Sequence, residues 1–100
     1  MQAHYPVAFA REMGLTASEF VRCLPEAFEP LAVTWPTAQA AVITMASGSA
    51  TIQWRPLEAR VIALIALPRV HVSFDFAGVD EGERQRVMKR FDLVMLRGGG

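Results

Sequence analysis

Three residues with the side chains of a serine-hydrolase triad alternate along one segment of the chain. His71, Ser73 and Asp75 are spaced two positions apart, so on a β-strand all three project from the same face. At a rise of about 3.3 Å per residue, successive members are about 6.6 Å apart along the backbone. A working triad needs hydrogen bonds of about 2.6–3.2 Å inside a cleft. The pattern is typical of a solvated strand face, and we assign no catalytic residue.

Metal-ligating and nucleophilic side chains are few and scattered. The two histidines, His4 and His71, and the single cysteine, Cys23, lack the spacing of a metal site. Cys23 precedes Leu24 in an apolar stretch, and we interpret it as a small buried hydrophobe. One cysteine cannot form an intramolecular disulfide, which favours a reducing, cytoplasmic location. The sequence predicts no metal and no cofactor.

Polar and basic side chains gather on the strand face that would carry His71. The residues of this candidate polar surface are Arg55, Arg60, Arg69 and His71. Such a face binds RNA or single-stranded DNA when aromatic side chains are interleaved for stacking. The nearby aromatics, Trp54 and Phe74, are expected on the opposite, apolar face. Ten basic residues also balance ten acidic ones, so no overall positive field attracts nucleic acid. Nucleic-acid binding is therefore a weak alternative.

The elements that would position these side chains are strands between residues 50 and 76. The alternation predicts three antiparallel strands joined by turns at residues 55–58 and 67–70. Ile52 and Val61 are then neighbours on the buried face, and Arg60 and His71 lie on the other. The residues predicted to form the apolar face are Ile52, Trp54, Val61, Ile65, Val72 and Phe74.

Two further strands are predicted before this region, at residues 31–35 and 40–45. The second contains three β-branched residues, at positions 42–44. A two-residue turn at Ser47-Gly48 would place Ile43 opposite Ile52 and Ala41 opposite Trp54. Residues 1–14 show no clear period, and we interpret them as an arm or an edge strand.

Two helices are indicated by their start signals. Thr16 and Glu19 have the spacing of a capping box, which predicts a short helix over Ala17–Leu24. Pro25 either ends this helix or opens a second short turn. Asp80 precedes an acidic first turn and predicts a second helix start. The apolar stripe of this second helix is Val87, Met88, Phe91, Val94 and Met95. Residues 92–96 are expected to continue the helix, with a strand as the alternative.

These elements predict an α+β fold in one domain spanning residues 1–100. A four- or five-stranded antiparallel meander sheet packs its apolar face on the longer C-terminal helix, and a short N-terminal helix precedes the sheet. Residues 98–100 are expected to form a flexible tail. The longest apolar run, residues 61–67, is far shorter than the roughly 20 residues of a membrane helix, so no membrane association is predicted.

The composition favours surplus apolar surface, since 52% of residues are hydrophobic and only 20% are charged. Ile62 and Leu64 lie on the second face of a strand that is apolar on both sides, which needs a cover. Leu93 and Leu96 fall opposite the apolar stripe of the second helix. We therefore predict a non-enzymatic protein-interaction module that acts as a homodimer, with Ile62, Leu64, Leu93 and Leu96 in its interface. A different protein partner, and coverage by the N-terminal segment, remain alternatives.

A pocket between the sheet and the second helix gives a second hypothesis. Trp54, Phe74, Met88 and Met95 would line it, and the protein would then bind a small molecule. The simpler interpretation of the same residues is a plain hydrophobic core, and we prefer it.

Overall fold

The computed structural model describes residues 4–97, which form one five-stranded antiparallel sheet and two helices. In chain order the elements are β1 (Ala8–Met13), α1 (Ala17–Phe28), β2 (Ala32–Thr37), β3 (Ala40–Thr44), β4 (Ser49–Ile62), β5 (Ile65–Ala77) and α2 (Glu81–Arg97). The strand order across the sheet is β1-β5-β4-β3-β2. The predicted α+β class and the meander of β2 to β5 are confirmed. The predicted tail at residues 98–100 lies outside the described residues.

Helix α1 begins as its capping box predicts. The Glu19 N–H donates to Thr16 Oγ1 at 3.1 Å, and the Thr16 N–H donates to Glu19 Oε1 at 2.8 Å. The predicted end at Leu24 is wrong, because the helix continues through Pro25 to Phe28. Phe28 is buried in the core whereas Pro25 faces solvent. Burial of the last turn outweighs the one backbone hydrogen bond that proline removes.

Helix α2 begins after Asp80, whose Oδ1 accepts from the Glu83 N–H at 2.8 Å. It runs to Arg97, so residues 92–96 are helical and the strand alternative is wrong. None of the helices in residues 4–97 combines the length and the apolar character needed to cross a bilayer.

The hydrophobic core lies between the two helices and one face of the sheet. The aromatic rings of Phe20, Phe28 and Phe74 all pack against that of Phe91, with centroid distances of 6.3, 5.4 and 5.3 Å. Phe74 and Phe91 are almost completely buried, as are Ile52 and Met88. The apolar stripe of α2 therefore packs on the sheet face that carries Ile52 and Phe74, as predicted.

The segment from Ser49 to Ala77 is one long hairpin and does not form three strands. Ile52 lies opposite Phe74, and Ile62 lies opposite Ile65. The chain turns at residues 63–64, where Ala63 has a φ of 55°. The turns predicted at residues 55–58 and 67–70 are wrong, and so is the pairing of Ile52 with Val61. Val61 and Ile65, predicted on the buried face, are 69% and 61% exposed.

Pro56 does not interrupt β4 because of the direction in which its nitrogen points. The Trp54 N–H donates to the Gln39 carbonyl at 3.1 Å, on the side of β3. Two residues later, the Pro56 nitrogen points to that same side, away from β5. The ladder between β4 and β5 therefore loses no donor at Pro56. A bulge follows between Leu57 and Arg60, and pairing then resumes.

The β3–β4 connection is longer than predicted. Residues 45–48 join the strands, and the Met45 N–H donates to the Gly48 carbonyl at 2.8 Å. The predicted two-residue turn is wrong, because Ala41 lies opposite Ile52 and Ile43 opposite Ala50. The shift is by two residues, so both side chains keep their buried face.

Strand β1 supports one of the two interpretations of residues 1–14, that of an edge strand. It pairs with β5 from Ala8, opposite Asp75, to Met13, opposite Val70. Helix α1 therefore follows the first strand, whereas the sequence placed the helix before the sheet. The pairing stops at Val70, so β1 does not reach the far part of the hairpin.

Candidate interaction surface

The β4–β5 hairpin extends beyond the rest of the sheet. On one side, β3 pairs with β4 only as far as Gln53, and on the other, β1 pairs with β5 only from Val70 onward. Residues 57–69, called the arm below, are thus a two-stranded ribbon with no third strand among the described residues. The six residues of β4 and five of β5 in the arm span about 16–20 Å. The described molecule is correspondingly elongated, with dimensions of 46 × 29 × 21 Å.

The arm carries apolar side chains that nothing in the described chain covers. The exposed fractions are 69% for Val61, 55% for Ile62, 101% for Leu64, 61% for Ile65 and 43% for Leu67. Residues 61–67 include no charged side chain. An isolated two-stranded hairpin is marginally stable in water. An arm of this composition is therefore suited to packing against another surface.

Alternation along β5 assigns the arm residues to two faces. Ile65 and Leu67 lie on the same side as His71, and Ile62 joins them because it pairs with Ile65. This set, called the outer arm face, continues the helix-free side of the sheet. Val61 and its partner Ala66 lie on the opposite side. Near the tip both faces of the arm are apolar, whereas towards the base Arg60, opposite Leu67, lies on the outer arm face.

The base of the arm is held to β1 by charged side chains. Arg60 Nη2 donates to Glu12 Oε2 at 3.3 Å, and Arg69 Nη1 donates to Glu12 Oε1. Arg69 Nε also donates to the Glu58 carbonyl at 2.8 Å. Two of the four predicted polar-surface residues are therefore engaged in fixing the arm to the sheet edge.

The other two members of the predicted polar surface lie further along the sheet. Arg55 is opposite His71 in the β4–β5 ladder. Both line an open hollow of about 350 Å³, together with Gln53, Trp54 and Ser73. Most of the Trp54 side chain is buried in the core, where its ring lies 5.2 Å from that of Phe20. The hollow therefore offers polar contacts and little aromatic area for stacking a base.

A second apolar surface lies at the end of α2, where Leu93 and Leu96 are 52% and 66% exposed. A hollow of about 240 Å³ adjoins Leu96 and is lined by Arg11, Glu12, Met13, Gly14, Asp92, Met95 and Leu96. Residues 12–14 also line a hollow of about 140 Å³ together with Leu67 and Pro68 at the arm base. Residues 12–14 therefore lie between the end of α2 and the arm base. We call the five exposed arm residues with Leu93 and Leu96 the arm-and-helix surface.

A buried ion pair, Arg11 with Asp92, lies beside the hollow of about 240 Å³. Arg11 Nη1 donates to Asp92 Oδ1 at 2.7 Å, and the Tyr5 hydroxyl donates to Asp92 Oδ2. The Arg11 guanidinium also lies 5.3 Å from the Phe74 ring centroid and 5.8 Å from that of Phe91. Burial, with the hydrogen bond to Asp92 and its charge, raises the pKa of Tyr5 to about 12. The network fixes β1 to α2.

Sequence reasoning missed this network. Arg11 and Asp92 are far apart in the chain, and no local pattern pairs them. One signal was available, because Asp92 lies four residues after Met88 and three before Met95, on the buried stripe of α2. A carboxylate at such a position needs a buried partner.

The remaining candidate residues are the polar residues of β5, Cys23 and the metal-ligating side chains. Ser73 Oγ donates to the Gln53 carbonyl at 3.5 Å, and residues 71, 73 and 75 follow one another along the outer face without forming a triad. Cys23 is buried, as interpreted from the sequence. Within residues 4–97, no group of three metal-ligating side chains is found.

The predicted ligand pocket falls within the core. Trp54, Phe74, Met88 and Met95 all belong to one buried hydrophobic cluster. Ligand binding at this position remains a prediction.

Comparisons with known proteins give no match: no family model, no curated protein and no solved structure is similar to this chain.

Proposed function

We propose that this protein is a non-enzymatic interaction module that acts as a homodimer through the arm-and-helix surface. The observation that carries the proposal is the arm, whose tip residue Leu64 is fully exposed between two apolar faces. Side chains of this kind are stabilised when a partner removes them from water, by about 25 cal/mol per Å² of apolar surface.

The size of the surface supports a stable partner. Weighted by their exposed fractions, the seven apolar side chains present on the order of 700 Å². A standard interface buries about 800 Å² per partner. The largest apolar patch on a typical monomer is about 300–600 Å². The summed area, which is spread over both faces of the arm and the end of α2, is larger than the single patch that a typical monomer leaves in water.

Charge and symmetry favour a second copy as the partner. The net charge is zero, so no overall repulsion opposes the approach of two identical chains. Two-fold homodimers are the commonest soluble assemblies, and they use one surface patch twice. The single buried Cys23 suits a reducing compartment, and we place the module in the cytoplasm as part of the same proposal.

Sedimentation velocity across the micromolar range tests this proposal. We expect the unmodified protein to sediment as a dimer and the Leu64→Lys variant as a monomer, because the lysine charge would be buried without a partner. Val7→Lys is the matched control, since Val7 is 52% exposed and lies at the end of β1 away from the arm. It should remain dimeric. An unmodified protein that stays monomeric throughout the range contradicts the proposal.

A further inference from the structure

We infer that the hollow of about 350 Å³ on the helix-free side of the sheet binds a small phosphate monoester that also carries hydroxyl groups, such as a sugar phosphate. This hollow is called the polar hollow below. Its polar side chains are those of Thr37, Gln39, Gln53, Arg55, His71 and Ser73. None of them belongs to the arm-and-helix surface, so the inference does not depend on the proposed homodimer.

The floor of the polar hollow is formed by two neighbouring rows of the β4–β5 ladder. Arg55 lies opposite His71, and Gln53 lies opposite Ser73. Positions two apart on a strand share a face, so these four side chains project from the same side of the sheet. The Cβ atoms of directly opposed residues are about 4.5–5.5 Å apart. One small ligand can therefore contact several of these side chains at once.

The connection between β2 and β3 forms one wall of the polar hollow. Gln39 lies in this connection, and its carbonyl accepts from the Trp54 N–H at 3.1 Å. The Gln39 N–H donates to Thr37 Oγ1 at 3.2 Å. Strand β3 pairs with β4 only as far as Gln53, so this connection lies beside the next part of β4. The two hydrogen bonds fix the backbone of the wall before a ligand binds, which lowers the entropy cost of binding.

The polar hollow favours an anion. Arg55 supplies a permanent positive charge, and no carboxylate is found among the described residues that line the hollow. Within residues 4–97, every ion pair engages another arginine and leaves the Arg55 guanidinium without an acidic partner. Glu12 lies opposite His71 on β1, but both of its carboxylate oxygens accept from arginines at the arm base. Asp75 shares this face of the sheet but does not line the hollow.

The side chains of the polar hollow match a ligand that carries both a phosphate and hydroxyl groups. A guanidinium presents parallel N–H donors that fit two oxygens of a phosphate. The side-chain amides of Gln39 and Gln53 both donate and accept, as hydroxyl groups do. The Trp54 ring packs in the core, so little aromatic surface is available to a nucleobase. A cavity of about 150 Å³ already admits benzene, so the polar hollow is large enough for a small sugar phosphate.

Calorimetric titration with ribose phosphate tests the inference. We expect saturable binding to the unmodified protein and no measurable binding of ribose without its phosphate. Arg55→Gln should weaken the binding of ribose phosphate by at least about tenfold, because charged hydrogen bonds to the phosphate are lost. Arg22→Gln is the matched control, since Arg22 is exposed on α1 and the substitution changes the net charge by the same amount. It should bind as tightly as the unmodified protein.

Amide chemical shifts in an NMR titration locate the site. Ribose phosphate should shift the amide signals of Gln39, Gln53 and His71 and leave those of α2 unchanged. The same spectra show that the Arg55→Gln variant is folded, because signals away from the substitution keep their positions.

The inference is overturned if ribose phosphate does not bind, if the two arginine variants lose the same affinity, or if the shifted signals lie elsewhere in the chain. Uridine monophosphate should bind no more than a few-fold tighter than ribose phosphate. A much tighter nucleotide would show that a base is recognised and would overturn the sugar-phosphate class. Inorganic phosphate that binds as tightly as ribose phosphate would also overturn this class, since the hydroxyl groups would then contribute nothing.

Discussion

The two halves of the β4–β5 hairpin contain similar residues in opposite surroundings. In the sheet half, Ile52 and Phe74 are 0% and 1% exposed, because β3 and β1 flank the hairpin and both helices cover it. In the arm, Val61 and Ile65 are mostly exposed although they belong to the same two strands. Residue type therefore favours the strand conformation in both halves, whereas the neighbouring elements determine whether the side chains are buried.

Under the proposed function, the same contrast separates folding stability from association. Apolar residues of the sheet half stabilise the folded monomer, since their burial occurs on folding. Those of the arm contribute little to the monomer and become stabilising only when a partner covers them. Mutations in the two halves should therefore affect different measurements.

The largest expected difference is between two substitutions in β4, one in the sheet half and one in the arm. Trp54→Ala should lower the free energy of unfolding by about 3–5 kcal/mol, because a buried aromatic side chain leaves a cavity. Val61→Ala should lower it by less than about 1 kcal/mol in the monomer, since Val61 is largely exposed. Denaturant titration measures both, at concentrations low enough to keep the chain monomeric. Equal losses would mean that the arm is packed within the monomer.

Ion pairs should show the same contrast at a smaller scale. Asp92→Asn removes the charge that Arg11 faces in the core, and we expect a loss of about 2–3 kcal/mol in unfolding free energy. This lies below the cost for a fully buried pair, because the Arg11 side chain is 21% exposed. Glu12→Gln, which breaks the exposed pairs at the arm base, should cost less than about 1 kcal/mol. A larger loss for Glu12→Gln would reverse the comparison.

Alkaline pH should lower the free energy of unfolding through Tyr5, whose hydroxyl donates to Asp92 in the core. Its pKa is about 12 in the folded protein and about 10 unfolded, so folding favours the protonated hydroxyl. The stabilisation is complete below pH 10 and is lost as the pH rises through 10 to 12. By pH 11 the unfolding free energy should fall by about 1.4 kcal/mol. Denaturant titrations at pH 9 and pH 11 measure the change, and Tyr5→Phe should remove this contribution.

Local signals in the sequence predicted the helix starts and the fold class. Thr16 and Asp80 are caps that act within one turn, and the structure shows both. The exposure of Leu93 and Leu96 was also predicted, because a helical wheel requires no knowledge of distant residues.

The hairpin was mispredicted because its strongest turn signals are not turns. Pro56 and Pro68 lie within strands, at positions whose nitrogens need no partner. The actual turn, at Ala63 and Leu64, has no glycine, proline or asparagine to mark it. Ile62 and Leu64 were predicted to lie on an apolar face that needs a cover, from a register that the structure contradicts, and both are exposed in the described chain.

The bond from Arg11 to Asp92 also fixes an order of events during synthesis of the chain. Strand β1 emerges first, but its pairing partner β5 begins more than 50 residues later, and Asp92 later still. The β4–β5 hairpin is a local pairing, since its two strands are adjacent in the chain. Elongation at about 5–20 residues per second leaves β1 unpaired for several seconds. The ion pair between Arg11 and Asp92 can therefore form only after α2 has been made, although β1 is the first of these strands to be synthesised.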